Sequence, residues 1–204
     1  MSRSLETPCW IFWDASNTLR SLRAAAVDNG ESNRDRYLRL HFQHFYELAR
    51  AGREVRDAYV AGSDGADSFW ERLGALGFTA DRLPSQDQES GVDQALQVRM
   101  LRTLADTPAP GVAVLITGDG AGYEEGVGFY SDLERMWRGG WGVEVLSWNS
   151  SCNRYLRDWA IRHGEFIPLD RYYRAITFVE GGRTMEKLST RTRPRALPGR
   201  KHTL

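Results

Sequence analysis

Three acidic residues occupy positions from which their carboxylates can act together. Asp14 ends a short apolar run, CWIFWD, and Asp119 follows a second apolar run, GVAVLIT, within a Gly-Asp-Gly turn. Asp93 stands at the start of a helical stretch that follows a polar loop. Clustered carboxylates repel one another unless a cation neutralises them, and oxygen ligands without histidine select Mg²⁺ or Mn²⁺. Because such an ion activates water and stabilises charge on a phosphodiester, this pattern indicates hydrolysis of nucleic acid.

Each of these residues also has a simpler interpretation. Asn17, three residues after Asp14, is suited to position a metal-bound water or hold a carboxylate, and equally suited to cap a helix. Taken alone, Asp119 fits turn chemistry, and Asp93 fits the first turn of a helix, where the dipole favours an acid. The combination of the three acids is what favours a catalytic site.

Aromatic and arginine side chains near these positions are candidates for substrate contacts, because aromatic faces stack on unpaired bases and arginine pairs with phosphate. They are Tyr123, Trp13, Trp70 and Arg99. Four other tryptophans lie in strand and helix patterns where packing explains them, namely Trp137, Trp141, Trp148 and Trp159. The four histidines show neither a nucleophile partner nor metal spacing and are expected to be structural or solvated.

Hydrophobic periodicity predicts the elements that must position these residues. Strands are expected at residues 9–14, 54–62, 78–83, 111–117, 143–148 and 175–179. Helices are expected at residues 17–27, 34–50, 67–76, 92–104, 128–138 and 153–163. This alternation predicts an α/β fold with a single doubly wound, mostly parallel sheet flanked by helices. In such sheets ligands bind at the carboxyl ends of the strands, where Asp14 and Asp119 are expected.

The chain is expected to form one globular domain over residues 8–180 and a basic, flexible tail over residues 181–204. Its 204 residues are 41% hydrophobic and include seven tryptophans, enough for one well-filled core. The formal net charge is zero, yet seven basic residues stand against one acid from Gly181 onward. The tail therefore carries +6 and the body −6. A basic tail suits phosphate contacts, although such tails are often merely solvated.

The sequence favours a cytoplasmic protein. No stretch approaches the roughly 20 apolar residues that span a bilayer, and the N-terminus lacks the apolar core of a signal peptide. The two cysteines, Cys9 and Cys152, fit neither a zinc spacing nor a disulfide framework.

Three segments carry a resemblance to a known family. IFWDASNTL, SGVDQALQVRML and VLITGDGAGYEEGV resemble, in order, the three acidic motifs of the NYN domain family of PIN-like nucleases, and the similarity extends from about Trp10 to Trp148. The resemblance implies a PIN-like, Rossmannoid fold and an Mg²⁺- or Mn²⁺-dependent endoribonuclease that acts on RNA with unpaired bases. By resemblance, Asp14, Asn17, Asp93 and Asp119 take the family's metal-site positions.

Two positions depart from the family's pattern. Ala121 stands where many members have a second aspartate, and Ser90 stands where a basic residue often precedes the Gly-Val-Asp motif. Glu124 and Glu125 are further candidate metal ligands, although an acidic helix start explains them equally well. Ala121 also keeps open a non-enzymatic alternative, in which the protein is a degenerate module that binds RNA or another protein.

A phosphatase of the haloacid-dehalogenase type is the alternative enzyme. DASNTL resembles that family's nucleophile motif, but Ser16 replaces its second aspartate, and both lysines, Lys187 and Lys201, lie in the tail. A homodimer is a further expectation, because the aromatic stretch of residues 37–48 has a face that suits either a partner or the core.

Overall fold

The computed structural model describes residues 7–63, 65–83, 90–120 and 128–188. The strands are β1 (Cys9–Asp14), β2 (Leu38–Leu40), β3 (Val55–Gly62), β4 (Thr79–Arg82), β5 (Val112–Ile116), β6 (Gly142–Ser147), β7 (Glu165–Pro168) and β8 (Thr177–Val179). The α-helices are α1 (Ala15–Asp28), α2 (Phe42–Arg50), α3 (Asp67–Ala75), α4 (Ser90–Asp106), α5 (Gly128–Arg138), α6 (Arg154–His163) and α7 (Tyr173–Ile176). Among the described residues, 3-10 helices cover Ser32–Tyr37 and Leu169–Tyr172.

Six strands form one parallel sheet in the order β4-β3-β1-β5-β6-β7. From β1 the chain adds β3 and β4 on one side, and then crosses to add β5, β6 and β7 on the other. The strand order therefore reverses between β1 and β5, where Trp13 pairs with Ile116. This is the position where doubly wound sheets open a binding crevice. The predicted fold class is confirmed.

Helices cover both faces of this sheet. Successive residues of β1 point to opposite faces, as strand geometry requires. Ile11 and Trp13 join the core that includes Leu22 of α1, whereas Phe12 joins the core that includes Leu96 of α4. Four tryptophans were expected in the core. Trp141, Trp148 and Trp159 are buried, and Trp137 is partly buried and packs against the core.

The helix predicted over residues 34–50 is wrong in its first half. The structure has the 3-10 helix Ser32–Tyr37, the strand β2, and then α2, which begins after His41. Strand β2 pairs antiparallel with β8 in a separate two-stranded sheet. The local apolar spacing suited a helix, but pairing with a strand far away in the sequence decides the structure.

The strand predicted over residues 175–179 is only partly correct for the same reason. Ala175 and Ile176 belong to α7, and the remaining residues form β8 in the small sheet rather than in the main sheet. The sixth strand of the main sheet is instead β7, which the sequence analysis missed. With only four residues, β7 is too short for its alternation to be distinctive.

The first residues of the predicted basic tail lie against the domain. The guanidinium group of Arg183 donates to a Glu31 carboxylate oxygen at 2.6 Å and to the Thr177 carbonyl oxygen at 2.8 Å. Leu188 packs against the core. Residues 189–204 lie outside the described residues, so the flexible tail stays a prediction. Within the described ranges, no helix is long and apolar enough to cross a membrane.

Candidate active site at the switch point of the sheet

Asp14 is held at the junction between β1 and α1. The apolar run of β1 is buried, and Asp14, its last residue, is only 3% exposed. Its side chain caps α1, because Oδ1 accepts a hydrogen bond of 2.9 Å from the backbone N–H of Asn17. Capping satisfies a donor that the helix leaves unpaired. The backbone and the first turn of α1 therefore fix the orientation of this carboxylate.

Thr117 connects Asp14 to the turn that carries Asp119. It directly follows β5, the neighbour of β1, and its hydroxyl donates to Oδ2 of Asp14 at 2.9 Å. The same Oγ1 accepts the backbone N–H of Asp119 at 3.1 Å. Both oxygens of Asp14 thus have hydrogen-bond partners, and the turn that holds Asp119 is fastened to the same group.

Asn17 holds this turn from the other side. Its Oδ1 accepts the backbone N–H of Gly118 at 2.8 Å. Since that N–H requires an oxygen acceptor, the amide orientation is determined and Nδ2 remains a donor. Asp14, not Asn17, is the residue that caps α1. Asn17 therefore does more than the simple helix cap considered from the sequence.

The glycines around Asp119 allow close packing. A Cβ atom on Gly118 would lie 2.7 Å from the Ser151 carbonyl oxygen and 3.0 Å from Oδ1 of Asn17. A Cβ atom on Gly120 would lie 2.7 Å from Cγ of Asn153. Any larger residue would force this turn away from its neighbours, so the Gly-Asp-Gly sequence sets the position of Asp119.

The pKa of Asp14 reflects its burial, its hydrogen bonds and the charge of Asp119. The pKa of Asp14 rises from 3.8 to about 6, chiefly because burial disfavours the charged carboxylate. The hydrogen bonds from Asn17 and Thr117 oppose that rise, the negative charge of Asp119 adds to it, and Arg20 lowers it. Two carboxylates that repel each other favour binding of a cation.

Asp93 is not shown to join this pair. It lies half-buried in the first turn of α4, the helix that packs on β1 and β3. No cluster of three or more potential metal ligands occurs in the described ranges. The predicted set of three carboxylates thus stays a prediction with respect to Asp93. Ala121, Tyr123, Glu124 and Glu125 lie outside the described residues.

The two carboxylates that do come together are compatible with magnesium or manganese. Mg²⁺ keeps several waters and is commonly held by one or two carboxylates together with substrate phosphates. A carboxylate oxygen that accepts one hydrogen bond retains a second lone pair. Asp14 and Asp119 could therefore supply the protein's oxygen ligands, with water and substrate phosphates completing the set.

The structure contradicts one of the four predicted substrate contacts, Trp13, and gives a partner for a second, Arg99. Trp13 has no exposed surface and packs against Phe45, with 4.9 Å between ring centroids, so it cannot stack on a base. Arg99 makes a two-point ion pair with Asp57, with both distances 2.9 Å, near the start of β3. It also lies about 9 Å along α4 from Asp93. The pair leaves the Arg99 side chain 37% exposed, so Arg99 as a substrate contact stays a prediction.

Trp70 stays a candidate contact. It is half-buried in α3, and a Cβ atom on Gly62, the last residue of β3, would lie 3.2 Å from its Cη2 atom. This places the indole at the same edge of the sheet as Asp14. Of the predicted residues, the structure brings together Asp14, Asn17 and Asp119, with Trp70 close to the same edge.

The sequence analysis missed two residues of this site, Thr117 and Asn153. Thr117 bridges the two aspartates, and Asn153 donates its backbone N–H to the Gly118 carbonyl oxygen at 2.8 Å. A threonine immediately before Gly-Asp-Gly, and an asparagine before a helical pattern, were visible signals. Their contacts depend on which strands are neighbours, which one sequence does not reveal.

Comparisons with known proteins concern the family and the fold. Residues 8–163 match the NYN domain. A solved structure similar to the chain is a protein of unknown function from Vibrio parahaemolyticus RIMD 2210633, with 16% sequence identity and a TM-score of 0.57 over 83% of this chain and 96% of that chain. At this identity the likeness concerns the fold alone. The comparison with curated proteins found no match.

The family match does not support the phosphatase alternative. The residue that departs from the phosphatase motif, Ser16, accepts the backbone N–H of Ser63 at 3.0 Å. This bond ties the first turn of α1 to the loop after β3, which is a structural role.

Proposed function

Because the chain belongs to the NYN domain family, we propose that it is an endoribonuclease dependent on Mg²⁺ or Mn²⁺. The observation that carries this proposal is the position of Asp14 and Asp119, which lie at the carboxyl ends of two adjacent strands and interact electrostatically. RNA supplies the phosphates that would complete the metal's ligand set. The crevice at the strand-order reversal is the position where the substrate would bind.

The chain's own residues have distinct roles in this proposal. Asp14 and Asp119 would hold the metal, and the bound metal would activate water and stabilise charge on the scissile phosphate. Thr117 keeps Asp14 in one orientation through its 2.9 Å hydrogen bond. Asn17, whose Oδ1 is engaged by Gly118, offers Nδ2 as a donor to a phosphate oxygen or to the attacking water.

Asp93 is proposed as a third acid of the site. Its place in the first turn of α4 supports this role, because that helix packs on β1, which ends in Asp14. RNA cleavage by the Asp93→Asn variant tests it directly. Unchanged cleavage would remove Asp93 from the site and leave a pair of aspartates.

The decisive experiment incubates the purified protein with labelled single-stranded RNA in Mn²⁺, Mg²⁺ or chelator, beside the Asp119→Asn variant. Asp28→Asn, at the exposed end of α1, is the matched control, since it removes the same charge away from the site. We expect cleavage at internal positions only with metal, its loss in Asp119→Asn and its retention in Asp28→Asn.

The alternative of a degenerate RNA-binding module predicts a different result. RNA binding without cleavage under every metal condition would support it. The absence of an aspartate at Ala121 would then account for the missing cleavage. Cleavage that persists in Asp119→Asn, or in chelator, would overturn the proposed mechanism.

A further inference from the structure

An exposed aromatic and cationic pair stands at the start of α6. Tyr155 is 54% exposed, and the guanidinium carbon of Arg154 lies 5.2 Å from the centroid of its ring. Neither side chain was a candidate from the sequence. A large aromatic residue with more than half of its surface in water gains little from folding, so packing does not explain it.

This pair is attached directly to the turn that carries Asp119. Asn153 donates its backbone N–H to the Gly118 carbonyl oxygen at 2.8 Å, and its Oδ1 accepts the backbone N–H of Tyr155 at 2.9 Å. Two residues of chain span at most about 7 Å. The backbone of Tyr155 therefore lies close to the turn that carries Asp119, within the length that a few nucleotides of one strand can cover.

The charge around the ring suits a polyanion. Helix α6 carries three arginines and one aspartate, a formal surplus of two positive charges. Arg157 has an ion pair of 3.7 Å with Asp158, whereas no ion pair of Arg154 is found in the described part of the chain. Arg154 thus keeps its charge for a phosphate while its guanidinium plane supports the tyrosine ring.

We propose that Arg154 and Tyr155 form a binding position for an unpaired nucleotide next to the acidic pair, with the base stacked on Tyr155 and its phosphate paired with Arg154. The inference rests on the proposed function and adds to it two residues that would hold an unpaired nucleotide beside the cleavage position. Stacking on an aromatic face is tolerant of sequence, so this position would select for unpaired rather than particular bases.

The test measures binding of a short labelled single-stranded RNA in chelator, so that cleavage plays no part. Tyr155→Ala should weaken binding about 5- to 100-fold, the range expected for one stacked base. Tyr155→Trp should restore it, because the indole also stacks. The matched control is Tyr37→Ala, since Tyr37 is 43% exposed and has Arg36 4.8 Å from its ring centroid but lies next to strand β2 of the small sheet.

A scan with RNAs that lack one base at successive positions locates the stacked nucleotide. Removal of the base at one position should weaken binding to the wild type and should not change binding to Tyr155→Ala. Equal losses in both proteins, or an unchanged affinity of Tyr155→Ala, would overturn the inference even if the wild type cleaves RNA. A wild type that neither binds nor cleaves RNA would instead overturn the proposed function itself.

Discussion

Thr117, which follows strand β5, donates a hydrogen bond to Oδ2 of Asp14 at the end of the neighbouring strand β1. This bond links the two strand ends that carry the candidate site. The hydroxyl oxygen of Thr117 also receives the backbone N–H of Asp119. A single hydroxyl thus orients one carboxylate and anchors the turn of the other. The first prediction concerns this hydroxyl.

Thr117→Val should lower the rate of RNA cleavage by roughly 10- to 100-fold, the usual cost of removing a group that orients a metal ligand. Valine keeps the shape but cannot donate to Asp14, so the pKa of Asp14 should rise further and the pH–rate profile should move to higher pH. Thr117→Ser keeps the hydroxyl and is the control. A valine variant with an unchanged rate and pH profile would show that the bond has no role in catalysis.

The second prediction uses the raised pKa of Asp14. Its folded value of about 6 exceeds its ordinary value of 3.8, so the folded state binds the proton more tightly than the unfolded state. Protonation of Asp14 therefore stabilises the folded state. This contribution to the free energy of unfolding is fully present below pH 3.8 and is lost as the pH rises through about 6. Because the ionised carboxylate is buried, Asp14→Asn should stabilise the metal-free protein at neutral pH by up to about 3 kcal/mol.

Urea unfolding in chelator at pH 4 and pH 7.5 measures this effect. The difference in free energy of unfolding between wild type and Asp14→Asn should be larger at pH 7.5 than at pH 4. The same variant should lose RNA cleavage, which separates a functional loss from a folding defect. An Asp14→Asn protein that is less stable at pH 7.5 would contradict the prediction.

The third prediction concerns the close packing of Gly118. Gly118→Ala should destabilise the protein and abolish cleavage, because its Cβ atom would meet the Ser151 carbonyl oxygen and Oδ1 of Asn17. Gly74→Ala is the matched control, since no atom lies within 4 Å of a Cβ atom there and helix α3 should gain up to about 1 kcal/mol from alanine. Thermal unfolding and RNA cleavage measure both variants. Equal stability of the two would show that the turn around Gly118 adapts.

Some of the site was readable from the sequence, for a physical reason. The runs before Asp14 and Asp119 are fully apolar, as strands covered on both faces must be, so the positions of both acids at strand ends followed from composition. The role of Thr117 did not follow, because it depends on β1 and β5 being neighbours. Local patterns likewise could not show that Leu38–Leu40 pairs with Thr177–Val179 instead of extending a helix.

The fourth prediction concerns the attachment of residues 181–188 to the domain. Glu31 accepts hydrogen bonds from Arg183, at 2.6 Å, and from the hydroxyl of Tyr173, also at 2.6 Å. The Arg183 bond is the main reason that the pKa of Glu31 falls from 4.5 to about 2. A depressed pKa means that the folded state favours the ionised form, so its stabilisation is present above pH 4.5 and is lost as the pH falls toward 2.

Glu31→Gln should therefore lower the free energy of unfolding by up to about 3 kcal/mol at pH 7 and by much less near pH 2. The size is plausible because the side chains of Arg183 and Glu31 are only 14% and 16% exposed. Glu180→Gln is the matched control, since its pair with Arg39 is about half exposed and should contribute at most about 1 kcal/mol. Urea unfolding of both variants at the two pH values measures the difference. Equal effects of the two substitutions at pH 7 would show that Arg183 does not hold this segment to the domain.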